Sequence, residues 1–266
     1  MNNVTYDGPV VISVGESRRS IQWKNKELLW SELVKRLSIP QRTHETMAEY
    51  KGMKKPDRDA LKDVGGFVGG MIKGGRRKID AVPARRLLTL DLDACTASDD
   101  PWFTVAMVIG CAAVLYSTHS STPEAPRVRI VIPLSREVNP EEYAALSRRI
   151  AADIGIDLCD DTTYEPHRLM YWPSCSQDAE YTYEVSDGPW LNVDEQLSRY
   201  HDWHDTSEWP TSSRQSQIMK RMASKQQNPL EKDGAVGAFC KCYTVEDAIE
   251  EFLPEVYTKG TDGRYT

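Results

Sequence analysis

The chain has 266 residues, 40% hydrophobic and 27% charged, ordinary proportions for a globular protein long enough to bury a sizeable core. A net charge of −7 excludes a globally basic coat for nucleic acid but leaves room for a local basic groove. No apolar run approaches a bilayer span, Met1-Asn2-Asn3-Val4 lacks the basic and apolar regions of a secretory signal, and six irregularly spaced cysteines read as reduced thiols, so a cytoplasmic protein with no membrane partner is expected.

The first element is a short strand, Val10-Val11-Ile12-Ser13-Val14, ended by Gly15. Leu28 to Leu37 has helical apolar spacing and Pro40 stops it. Thr43 to Leu61 is polar and partly helical, with Thr43, Glu45 and Thr46 as weak capping candidates. Six glycines then surround short apolar pairs from Gly65 to Gly75 and close on Lys73, Arg76, Arg77 and Lys78. This stretch reads equally as a flexible hairpin with a solvated tip or as backbone able to approach a phosphate chain, with the four cations touching nucleic acid. It is not a Walker A loop, since no Gly-Lys-Ser or Gly-Lys-Thr occurs there.

Leu87-Leu88-Thr89-Leu90-Asp91-Leu92-Asp93 is apolar up to Leu90 and then places two carboxylates two residues apart. Side chains alternate faces along a strand, so Asp91 and Asp93 point the same way. Such a pair repels itself unless a cation lies between, and a hard divalent ion with oxygen ligands is the natural neutraliser. Asp100-Pro101 starts a helix whose body is Trp102 to Ile109. Ala112 to Tyr116 is a strand that delivers Ser117-Thr118-His119 at its end. After the turn at Glu124-Ala125-Pro126, Arg127 to Pro133 alternates, with Arg127 and Arg129 on one face and Val128, Ile130 and Ile132 on the other. Asn139 caps a helix reaching about Asp153. Asp157, Asp160 and Asp161 follow, then a strand around Arg168 to Trp172 and a hairpin through Tyr181 to Val185.

Residues 206–228 are Ser/Gln/Lys-rich and read as a linker or exposed helix; 229–266 hold a small helical unit with an amphipathic run from Val245 to Leu253. The expected domains are therefore 1–205, the linker 206–228, and 229–266. Cys240-x-Cys242 and His201-x-x-His204 lack the spacing of a four-ligand zinc site.

Four features share one logic. Asp91 and Asp93 are paired carboxylates, His119 ends the next strand, Arg127 and Arg129 share a face of the strand after it, and Asp160 precedes Arg168. Arginine suits bidentate phosphate recognition. Carboxylates for metal plus cations for a triphosphate make the minimum kit for two-metal nucleotidyl transfer.

These residues carry a resemblance. Leu90-Asp91-Leu92-Asp93, Ser117-Thr118-His119, and Cys159-Asp160 with Arg168 eight residues on resemble the three motifs of the archaeo-eukaryotic primase superfamily, in particular the primase-polymerase domains of phage and mobile-element replication proteins. The stretches Tyr116 to Arg129 and Glu165 to Ser174 look especially like the phage subgroup, and the similarity covers roughly residues 5–190. The resemblance implies an α+β core with mixed sheets flanked by helices, and a template-directed nucleotidyltransferase making primers, extending DNA, or both, in a bacterial cytoplasm. It implies that Asp91, Asp93 and Asp160 are catalytic and bind two Mg²⁺ or Mn²⁺ ions, with Asp157 and Asp161 as rivals for the third carboxylate. Ser117, His119, Arg127, Arg129 and Arg168 would bind the incoming NTP or dNTP. Single-stranded DNA template and primer are the implied partners. A helicase module often follows in this family, so the chain is expected to be the N-terminal piece of a longer replication protein. The alternatives are a replication-initiator nuclease, for which no His-x-His metal pair occurs, and a non-catalytic DNA-binding or helicase-loading module.

Overall fold

A five-stranded antiparallel sheet, flanked on each face by a separate apolar layer, holds the elements that carry the expected site. The computed structural model describes residues 4–225, 230, 234–260 and 264–265, so the 226–228 end of the expected linker and residues 229, 231–233, 261–263 and 266 of the expected helical unit lie outside the described residues. The chain divides into two units, Met1–Ser213 and Arg214–Thr266.

In the first unit, β1 (Pro9–Gly15) pairs antiparallel with β2 (Lys24–Leu29), which leads into α1 (Trp30–Leu37). The helix expected from Leu28 thus begins two residues later: Leu28 is a buried strand residue opposite Val10, and Leu29 ends the strand. After β3 (Gln41–Arg42) come α2 (Met47–Gly52) and α3 (Lys55–Leu61). Thr46 is the α2 cap, accepting from the Glu49 amide while Glu49 accepts from the Thr46 amide.

The glycine-rich stretch forms β4 (Gly66–Val68), β5 (Gly70–Met71) and a 3₁₀ turn at Lys73–Gly75. β6 (Ala84–Leu92), β7 (Ala113–Ser117) and β8 (Val128–Val138) follow, the last two separated from β6 by α4 (Pro101–Phe103) and a π-helical run over Thr104–Ile109. Asp100 caps α4 by accepting from the Phe103 amide at 3.0 Å. Then come α5 (Pro140–Ile154), β9 (Met170–Tyr171), β10 (Ser174–Cys175), β11 (Tyr183–Ser186) and α6 (Val193–Leu197). Asn139 caps α5 through the amides of Glu141 and Glu142, both at 2.9 Å. The hairpin expected through Tyr181 to Val185 is instead a single strand that pairs antiparallel with β7.

The sheets run β2-β1-β4-β9, β10-β3 and β11-β7-β8-β6-β5; β10 and β3 pair in parallel and the other pairings are antiparallel. Alternation divides the five-stranded sheet cleanly. Leu88, Leu90, Leu92, Val128, Ile130 and Ile132 face Tyr143, Leu146 and Ile150 of α5. Leu87, Val114, Tyr116 and Val131 face Val10, Ile12, Phe67 and the Leu33 and Leu37 stripe of α1. The sheet is therefore held between α5 and the β1–β4 layer. At its root, fully buried Arg85 donates to the carbonyls of Leu87 (3.1 Å) and Pro166 (2.8 Å) and to Thr89 Oγ1 (2.9 Å), with its guanidinium 4.1 Å over the Tyr143 ring.

In the second unit, α7 (Ser213–Lys225) opens at the junction, and α8 (Gly234–Cys242) and α9 (Val245–Phe252) follow. Phe239, Tyr243 and Phe252 form an aromatic cluster with ring centroids 5.0–5.6 Å apart. Thr244 and Asp247 form the capping box of α9. The six cysteines are free thiols, and no helix among the described residues is long and apolar enough to cross a membrane.

Candidate active site

The site is built at the open end of β6. Leu90 and Leu92 turn into the α5 core, so Asp91 between them turns to the opposite face. Register puts Asp91 opposite Arg129 of β8 and Arg129 opposite Tyr116 of β7. Arg129 Nη2 reaches Asp91 Oδ2 at 3.4 Å. Only 8% of Arg129 is exposed. Burial alone would lower its pKa, but Asp91 and Tyr116 outweigh this and raise it.

A second segment zips onto the same strand end. Leu92 and Cys159 form an antiparallel bridge, the Asp93 amide donates to the Leu158 carbonyl at 3.1 Å, and the Asp160 amide donates to the Asp91 carbonyl at 2.8 Å. The Asp160 carboxylate then accepts from the Thr162 amide (3.0 Å), the Thr162 hydroxyl (2.9 Å) and Arg168 Nη2 (2.5 Å). Thr163 completes the join, its hydroxyl donating to the Thr89 carbonyl at 3.0 Å and accepting from the Asp91 amide at 3.1 Å.

These elements enclose a cleft of about 200 Å³ lined by Asp91, Asp93, Asp160, His119, Arg127, Arg129 and Arg168, with Lys62, Tyr171 and Ser174 among the other residues around it. Three carboxylates and four permanent cations thus share one small space. Of the three rival carboxylates, Asp160 lines the cleft; Asp157 accepts from the Ser213 amide, and neither it nor Asp161 lines the cleft. Ser117 does not join it. It is buried, its hydroxyl accepting from the Thr182 amide at 3.0 Å, so it ties β7 to the segment before β11. Lys73, Arg76, Arg77 and Lys78 do not line it either. Arg77 donates to the His167 carbonyl at 3.2 Å and sits 5.4 Å over Trp23.

His119 is 4% exposed and both ring nitrogens are engaged, Nε2 with Glu45 Oε1 and Nδ1 with Ser174 Oγ, each at 2.9 Å. A carboxylate accepts only, so Nε2 carries the proton toward Glu45. Burial pulls the imidazole below its ordinary pKa, with Glu45 opposing part of that shift. Burial alone would raise Glu45, but bonds from Thr43, a backbone amide, His119 and Ser176 hold it below the usual carboxylate range. Sequence reasoning did not place Glu45, Lys62, Tyr171 or Ser174 in the site. Glu45 stood out only as a weak helix-capping candidate. The others come from segments that meet only in the fold.

The donor chemistry fits hard divalent cations: three carboxylates face one cleft. Among the described residues, however, no three His, Cys, Asp or Glu side chains are already gathered to hold an ion. Asp91 and Asp160 instead stand against Arg129 and Arg168.

The VapE N-terminal domain family model matches residues 1–212, and the chain belongs to that family. A solved structure, the AEP domain (PP-N190) of the cyanophage S-2L primase-polymerase, is similar at 13% identity and a TM-score of 0.38, over 74% of this chain and 89% of that chain. No curated protein matches the sequence.

Proposed function

We propose that the first unit is a template-directed nucleotidyltransferase, a DNA primase, a DNA polymerase or both, acting in phage or mobile-element replication. One observation carries this reading: three carboxylates from two distant segments meet four cations and a histidine in a single cleft. Asp91, Asp93 and Asp160 would hold two Mg²⁺ or Mn²⁺ ions, which when bound neutralise charge on the reacting phosphate and acidify the attacking hydroxyl. Arg127, which forms no ion pair among the described residues, is poised to take a phosphate oxygen directly. Arg129 and Arg168 reach phosphate by exchanging Asp91 and Asp160 for it. His119 would do so by taking a second proton at Nδ1, which then donates to phosphate in place of accepting from Ser174, while Glu45 accepts from Nε2 on the other side and stabilises the imidazolium. On this reading the NTP or dNTP, a single-stranded DNA template and a primer are the ligands, and a helicase acts with the chain.

The test is primer extension and de novo synthesis on single-stranded DNA with Mg²⁺ or Mn²⁺, comparing wild type with Asp91→Ala/Asp93→Ala, both confirmed folded by circular dichroism. Product from wild type alone supports the reading, and equal behaviour of the two sinks it. The arginine pairing of Asp91 and Asp160 favours a second reading, a non-catalytic DNA-binding module. It expects DNA binding by both proteins and product from neither.

A further inference from the structure

A second groove, of about 420 Å³, opens beside the carboxylate cleft and shares Lys62, Ser120 and Arg127 with it. Its walls are α2 and α3. Lys55, Arg58 and Lys62 recur at helical spacing along α3 and share one face, and Lys51 joins them from the end of α2. With Arg127 this makes five cations against one carboxylate, Asp59, which is already paired with Arg18 (3.3 Å) and Lys62 (2.7 Å). Lys51, Lys55, Arg58 and Arg127 form no ion pair among the described residues. On a chain with net charge −7, this concentration of unpaired cations is a local exception.

We infer that this groove takes the sugar-phosphate backbone of a single nucleic-acid strand and leads it into the carboxylate cleft, with Lys51, Lys55 and Arg58 as the contacts outside the reaction site. The inference rests on the nucleotidyltransferase reading for the identity of the ligand. The physical warrant is charge complementarity in a groove that shares three lining residues with the carboxylate cleft. A phosphate chain releases condensed counterions to such a row of cations, the sequence-independent part of single-strand binding. On this proposal the groove is the nucleic-acid contact in place of Lys73, Arg76 and Lys78, which line neither cavity.

The experiment is fluorescence anisotropy with labelled single-stranded oligothymidine in EDTA, where no turnover occurs. Its result is therefore independent of whether the protein polymerises. Lys51→Gln/Lys55→Gln/Arg58→Gln should bind at least about tenfold more weakly at low salt, with a log–log salt slope shallower by about 2 for three lost phosphate contacts. Lys73→Gln/Arg76→Gln/Lys78→Gln should bind like wild type, and a fluorescent nucleotide should bind both variants equally. A melting temperature matching wild type verifies folding, and Lys55→Glu alone provides a second variant with the same expected direction. Undiminished oligothymidine binding by the groove variants overturns the proposal. So does loss of nucleotide binding with DNA binding kept, which would assign the groove to the nucleotide's phosphates, or loss of DNA binding in the loop variant alone.

Discussion

The main-chain amide of Asp160 donates to the main-chain carbonyl of Asp91 at 2.8 Å. The two carboxylates are therefore brought together by backbone pairing, and side-chain replacement at either position leaves that bond intact. With the Asp93–Leu158 bond and the Leu92–Cys159 bridge, it fixes the third acidic motif onto the first. Replacing either carboxylate therefore keeps this backbone join while removing the side-chain partners of Arg129 or of Thr162 and Arg168.

Asp91 is nonetheless the nearest counter-charge of a buried arginine. Asp91→Ala leaves Arg129 buried and uncompensated and is expected to cost about 3 kcal/mol of stability. Asp91→Ala/Arg129→Met removes both charges and should recover most of that loss. Urea denaturation of the two variants checks this. If the double variant is no more stable than the single one, the pair carries no such coupling.

The glycine-rich stretch is expected to behave as packing rather than as a mobile phosphate loop. A Cβ on Gly70 would lie 2.2 Å from the Ala84 carbonyl oxygen, and one on Gly66 would lie 2.3 Å from that of Met170. Both contacts are backbone and have no flexible end to yield. Gly74, at φ +68°, meets nothing within 4 Å. Gly70→Ala should therefore destabilise by about 3 kcal/mol, and Gly74→Ala by only about 1 kcal/mol from left-handed strain. Thermal melts of the two variants decide the matter, and equal losses would contradict it.

His119 and His167 are both held below their ordinary pKa, chiefly by burial. A group whose folded pKa is depressed binds its proton first in the unfolded chain. Stability is therefore complete above about pH 6.5 and declines as pH falls through that value toward the folded pKa. Melting temperature measured downward from neutral pH should show this decline, and His119→Gln/His167→Gln should flatten it. An unchanged slope in the double variant would show that other groups control it.

Glu45 touches no cleft surface but holds the far nitrogen of His119. Glu45→Gln keeps the shape and removes the charge. If His119 serves the nucleotide, this variant should raise KM for nucleotide about tenfold with a smaller change in kcat, because an amide orients the imidazole without stabilising its protonated form. Steady-state kinetics separates the two parameters. A fall in kcat alone would place His119 outside nucleotide binding.

Much of the sheet was legible because alternation is a local signal. Asp91 between Leu90 and Leu92, and Arg129 between Val128 and Ile130, announce their faces without any knowledge of the partner strands. The end of β7 likewise delivered His119 where expected. What stayed hidden is non-local. Leu28 and Leu29 fit a helical period, but pairing with β1 claimed them for a strand. The glycines from Gly65 to Gly75 read equally as a flexible hairpin or as a phosphate-approaching backbone, because nothing local reveals that Met170 and Ala84 press against them. Glu45, Lys62 and Ser174 enter the site from segments with no apolar periodicity, and their roles depend on where His119 comes to rest. Ser117 matched a motif position, yet its hydroxyl was taken by the neighbouring Thr182 amide.

Arg85 carries a further implication. It has no carboxylate within ion-pair distance among the described residues, and its guanidinium is satisfied by two carbonyls, one hydroxyl and an aromatic face. One of those carbonyls belongs to Pro166, in the loop that presents Arg168. A lysine there would keep the charge but could not span all three acceptors at once. Arg85→Lys is thus the natural candidate for a temperature-conditional allele, functional when cool and failing on warming as the Pro166 anchor lets go before the sheet melts.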